Sequence, residues 1–180
     1  MRRRTWLRWS ATVALPVGAG GAARVWAQPA SAAEAQAKAP PLPAVGQPWP
    51  VPPMVRLDGS RFEPAHAAGR VLVLYWWAST CPFCAATSPH VERFWRSYGG
   101  RGDWLLLGLS IDRTEEAARH YLAQRGYTFP NAWVTPEVQR AMPKPRGLPI
   151  TLVRGRDGRL LMAERGQLFA EDVDAIAQWL

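Results

Sequence analysis

VLVLYWWASTCPFC, running from Val71 to Cys84, decides how the rest of the chain is read. Val71 to Trp77 is continuously apolar, the pattern of a strand buried on both faces. A short turn follows, and a helix is predicted from about Pro82 to Tyr98, stopped by Gly99 and Gly100. Pro82 suits the first helical turn, where its missing N–H would have no partner. Cys81 and Cys84 therefore fall where a buried strand turns into a helix. Unpaired N–H groups and the helix dipole at that point favour a negatively charged sulfur. The two-residue gap keeps Cys84 close enough to form a disulfide with Cys81. Cys81 is read as the exposed nucleophile and Cys84 as the shielded thiol that resolves a mixed disulfide.

Working outward, Met54 to Leu57 and Arg61–Phe62 flank Asp58-Gly59 as a short hairpin. Trp104 to Ser110 repeats the buried-strand pattern. Thr114 caps a helix running to Arg125, with Gly126 as its stop. Asn131 to Val134 is expected as a short strand and Pro136 to Met142 as a short helix, before an irregular Pro143–Gly147. Ile150 to Val153 and Arg159 to Ala163 form a hairpin about Asp157-Gly158. Ala170 to Leu180 closes the chain as an amphipathic helix whose buried face carries Val173, Ile176, Ala177 and Leu180. The fold class is α/β, a mixed central sheet flanked by helices.

Here a resemblance enters. WWASTCPFC, Trp76 to Cys84, resembles the W-A-x-x-C-x-x-C signature of thioredoxin-like proteins. Pro89 matches the proline inside their active-site helix. Arg146 to Leu152 (RGLPITL) resembles the segment carrying their cis-proline, which would make Pro149 that residue. The likeness spans about Met54 to Leu180. It is closest to the exported TlpA/ResA-like thiol–disulfide oxidoreductases, which implies a thioredoxin fold with a short N-terminal hairpin and an extra strand–helix insertion before Pro149. It also implies that Leu148 faces the dithiol, that Phe83 offers an apolar contact to substrate, and that Trp77 supports the active-site turn or lines the groove. A cis-proline leaves the neighbouring backbone free to pair with an extended substrate. Three positions depart from the pattern. Thr87 stands where many exported reductants have a glutamate, Tyr75 where thioredoxins bury an aspartate, and Thr80 where an aromatic precedes the first cysteine. Proton transfer must then use water, a hydroxyl or another group.

Residues 1–27 read as an export signal: Arg2 to Arg4, an apolar stretch from Trp9 to Ala23 that Gly and Pro interrupt, and small residues at Val25 and Ala27. RRTWLR, Arg3 to Arg8, resembles a twin-arginine signal; a general secretory signal is the alternative, and both lead to the periplasm. No stable membrane span is expected after cleavage, an uncleaved anchor being the minority reading. Residues 28–53 are an Ala/Pro-rich linker whose last residues are expected to lie along the surface of the domain at 54–180.

The formal charge of +8 does not indicate nucleic-acid binding. Five arginines and no acid lie in residues 1–27, so the remainder carries 17 basic against 14 acidic residues. Two cysteines exclude a disulfide-stapled scaffold. Zinc would need further ligands, yet His66, His90 and His120 are scattered, and His90 falls on a different helical face from Cys84. No metal and no cofactor are expected. The leading reading is a periplasmic enzyme exchanging the Cys81–Cys84 pair with protein thiols and disulfides, as a reductant, and recharged by a separate membrane or periplasmic redox partner. Two alternatives stay open: a copper-binding chaperone using both thiolates and one histidine, and a thioredoxin-fold binding module without redox activity.

Overall fold

The computed structural model describes residues 37–180. The export signal read in residues 1–27, and the linker up to residue 36, lie outside them.

The central strand, β3 (Val71–Trp77), is buried at all seven residues, as its unbroken apolar run requires. It follows a hairpin of β1 (Met54–Val55) and β2 (Arg61–Phe62) and a 3₁₀ turn at Pro64–Ala67. Asp58 shapes that hairpin by accepting from the Ser60 N–H (2.8 Å). After β3 come α1 (Pro82–Tyr98), β4 (Trp104–Ser110), α2 (Glu115–Arg125), β5 (Asn131–Trp133) and α3 (Pro136–Ala141). Then β6 (Ile150–Arg154) and β7 (Leu160–Arg165) lead into the C-terminal segment. The sheet order is β5-β4-β3-β6-β7. β4 runs parallel to β3 and to β5, whereas β6 runs antiparallel to β3 and β7 antiparallel to β6.

Side-chain alternation along β3 divides the core. Val71, Val73, Tyr75 and Trp77 pack toward Val91 and Phe94 of α1, Tyr121 of α2, and Val173 and Ile176. Leu72, Leu74 and Trp76 face Phe62, Val138 and Met142 on the other side. Local chemistry sets the helix ends. Thr114 accepts from the Ala117 N–H (3.2 Å), and Gly126 closes α2 at φ +67°, a left-handed conformation that suits glycine.

One expectation needs correction. The last helix is not α-helical throughout: α4 covers Ala170–Asp174 and tightens to a 3₁₀ turn over Ala175–Trp179. Val173 and Ile176 are still buried, and their three-residue spacing fits the tighter winding, common at helix ends. Ahead of β1, residues 40–53 lie along the surface of the domain. Pro40 O accepts from Arg146 N (2.8 Å), Gly46 N donates to Leu160 O (2.8 Å), and Leu160 N donates to Gln47 O (2.9 Å). Val51 is buried, and Leu42 and Trp49 lie against the second core cluster. These scattered apolar side chains and backbone bonds to a sheet edge hold the segment without any periodic apolar face.

Candidate active site

The turn Ala78–Thr80 carries the chain from the C-terminal end of β3 to Cys81, which caps α1 with extended backbone angles. Its Sγ accepts from the Cys84 N–H at 3.2 Å, one of the helix-terminal donors with no partner inside the helix. Pro82, at the first helical position, has no N–H to satisfy. Cys81 is half-buried and Cys84 is only 1% exposed, both as free thiols. Burial, and then the neighbouring Cys81 sulfur, push the Cys84 thiol far above its ordinary range, so a thiolate there needs help to form.

Beneath the pair, Tyr75 is fully buried. Its hydroxyl donates to Cys84 O (3.2 Å) and lies 3.0 Å from Ser88 Oγ, which donates to the same carbonyl at 2.8 Å. Burial foremost, with the nearby thiols, holds the phenol well above its usual range, so it stays protonated where thioredoxin-like proteins carry an acid. Thr87 is also buried. Its hydroxyl accepts from Leu168 N (3.2 Å) and meets Leu168 O at 3.5 Å, binding α1 to the segment before α4.

An open groove of about 580 Å³ runs beside Cys81, with Thr80, Pro82, Ile111, Arg113 and Leu148 on its walls. The Leu148–Pro149 peptide bond is cis, and Pro149 is buried immediately before β6. The structure thus brings Cys81, Pro82 and Leu148 together over Cys84. Phe83 is 57% exposed beside the groove and does not line it. Trp77 does not line it either. Its indole is 1% exposed, donates to Asn131 Oδ1 (2.8 Å) and packs on the Tyr121 ring (5.4 Å between centroids). Its side-chain contacts are thus to β5 and α2, away from the groove.

Two site residues escaped the sequence reading. Asp112 follows β4 and is buried. Its Oδ1 accepts from Ser79 N (2.9 Å) and Ser79 Oγ (2.8 Å), and its Oδ2 from Ser110 Oγ (2.9 Å), which fixes the turn leading to Cys81. A hint was present, since the carboxyl ends of parallel strands are where α/β sheets gather functional groups. Lys144 lies in the irregular loop before β6 and is 6% exposed. Burial lowers its ammonium to about 8. Nothing in Pro143–Gly147 signals that burial. Among the described residues no group of three or more His, Cys, Asp or Glu side chains could hold a metal ion. His66 and His120 are exposed, and His90 is half-buried on α1.

No protein-family model matches the sequence, and no curated protein matches it. Solved structures do resemble it. A thioredoxin-family thiol:disulfide interchange protein from Chlorobium tepidum superposes with a TM-score of 0.66 at 23% identity, covering 76% of this chain and 97% of its own. StoA from Bacillus subtilis gives 0.61 at 16% identity, over 76% and 98%. A secreted Mycobacterium tuberculosis disulfide oxidoreductase, homologous to E. coli DsbE, gives 0.57 at 19%, over 68% and 94%. At these identities the likeness shows the fold, and the expected thioredoxin fold is the fold of this chain.

Proposed function

We propose that this chain is a periplasmic thiol–disulfide oxidoreductase that exchanges its Cys81–Cys84 dithiol with protein disulfides and acts as a reductant. The observation that carries this reading is the division of labour within the pair. Cys81 stands at a helix N-terminus on a groove wall, while Cys84 is sealed beneath it with its N–H on the Cys81 sulfur. Attack by Cys81 sulfur on a substrate disulfide forms a mixed disulfide and releases one substrate thiolate. Attack by Cys84 on Cys81 Sγ then releases the second, leaving the enzyme oxidised by two electrons and the substrate reduced by two. A buried resolving thiol is protected from reagents other than its own partner. Leu148 and the main chain beside Pro149 offer a wall along which an extended segment of substrate can lie.

Export rests on the leader read in residues 1–27. Among the described residues no helix is long and apolar enough to cross a membrane. For the copper-chaperone alternative, no third His, Cys, Asp or Glu among the described residues joins the two cysteines in a group that could hold a metal ion.

Cys84→Ser should trap mixed disulfides in a periplasmic extract, and Cys81→Ser should abolish them. An accessible Cys81 that captures no partner would favour the inactive binding module. Equilibration with glutathione tests direction. A potential near about −270 mV fits a reductant, and one near about −120 mV would reverse the assignment.

A further inference from the structure

Lys144 is a buried lysine without an acid. Its ammonium donates to Pro145 O (2.6 Å) and Gly147 O (2.8 Å), and none of the ion pairs among the described residues includes it. Lysines are almost never fully buried unless paired, because stripping water from an ammonium costs several kcal/mol. Two carbonyls use two of the three N–H groups and bring no counter-charge. Gly147, whose carbonyl is held, precedes Leu148 on the groove wall beside Cys81. Leu148 in turn packs against the core cluster that contains Cys84, so the ammonium is held one residue from the side chain covering that thiol, and the charge of Cys84 is felt at Lys144.

We propose that Lys144 is a positioning residue of the dithiol: it fixes the Gly147–Pro149 shoulder of the groove and supplies the positive charge against which the Cys84 thiolate forms when the mixed disulfide resolves. The inference rests on the function proposed above. Five titratable groups interact electrostatically with Cys84, while β6 and the C-terminal helix meet its core cluster with apolar side chains, Val153, Val173 and Ile176. The five are Cys81 at the start of α1, Tyr75 of β3, Asp112 after β4, Tyr121 of α2, and Lys144 before β6. Tyr75 stays neutral, and Asp112 opposes a thiolate at Cys84. Among these groups Lys144 is the one cation. The step balances without a further reactant: Cys84 loses its proton to solvent, its sulfur displaces the substrate sulfur from Cys81, and the substrate leaves as a thiolate.

The test is the stopped-flow reaction of the reduced full chain with the chromogenic disulfide dithiobis(nitrobenzoate), followed against pH. Cys81 releases the first coloured thiolate and Cys84 the second. In Lys144→Met the second release should slow about tenfold near neutral pH, its pH midpoint rising by about one unit. The first release should stay within about threefold, and Lys144→Arg should restore the second. Lys144→Gln, which keeps a donor but no charge, should behave as Lys144→Met does and serves if that variant folds poorly. A second release with the wild-type pH profile in both neutral variants overturns the role of Lys144 alone. So does an equal fall in both phases that Lys144→Arg does not restore. A wild-type chain that stops after the first release overturns the dithiol reading, and this inference with it.

Discussion

Gly108→Ala should be among the most damaging single-methyl changes in this protein. Gly108 lies in β4, opposite Tyr75 of β3 on one side and Asn131 of β5 on the other. A Cβ there would collide with Asn131 Oδ1 and sit 2.8 Å from both Asn131 Cγ and Phe129 Cε2. The Asn131 amide has nowhere to retreat, since Oδ1 accepts from the Trp77 indole and Nδ2 donates to Phe129 O (2.6 Å). Overpacking costs about 1–3 kcal/mol, and a buried indole N–H left without its acceptor costs about 1–3 kcal/mol more. The total, about 2–6 kcal/mol, is a large part of a typical stability of about 5–15 kcal/mol. Urea unfolding followed by tryptophan fluorescence would measure it. Asn131→Ala alone should cost about 1–3 kcal/mol. Adding Gly108→Ala to it should cost less than the sum of the two, because the amide that clashed is gone. A single-variant cost under about 1 kcal/mol, or strict additivity, would refute the argument.

Three further outcomes are expected. Asp112→Ala strands Ser79 N, Ser79 Oγ and Ser110 Oγ, so stability should fall by about 2–4 kcal/mol and exchange by the folded fraction should slow about tenfold; an unchanged rate would separate Asp112 from the turn. Tyr75→Phe should cost about 1–2 kcal/mol in thermal unfolding yet keep the exchange rate within about threefold, because Ser88 still holds Cys84 O and the phenol does not ionise; a larger rate loss would show the phenol moving a proton. Burial works against ionisation of Glu92, but bonds from Thr128, Arg96 and Phe129 outweigh it and hold the carboxyl below its ordinary 4.5. A depressed folded value stabilises above the ordinary value and loses that contribution as pH falls through the folded one. Glu92→Gln should therefore cost about 1–3 kcal/mol at neutral pH, with the gap to wild type closing in acid titrations only as pH falls past the ordinary carboxylate range and through the lowered folded value.

The parts of the fold legible in the sequence are those whose causes are local. The apolar run Val71–Trp77 could only be a buried strand, and Thr114 and Gly126 carry the capping chemistry that bounds α2. Cys81 and Cys84 were legible for the same reason, since strand, turn and helix adjoin in the chain. What escaped depends on distant partners. Asp112 matters because Ser79 lies 33 residues earlier, and Trp77 turns away from the groove because Asn131 waits 54 residues later. Lys144 is buried by a loop with no periodic pattern. That the end of the linker lies along the domain was expected, but its partners, Arg146 and β7, are distant in the chain and composition does not name them.

That early segment also has a mechanical meaning. Ala37 O accepts from the Arg146 guanidinium (2.9 Å) and Pro40 O from the Arg146 N–H, so one residue grips the incoming chain twice. Arg146 sits two positions before Leu148 on the groove wall. A pull on the chain upstream of Ala37 would therefore load the shoulder of the dithiol groove before any strand of the sheet. A protein shortened to begin at Met54 would lose that grip and leave the starting edge of β7 bare.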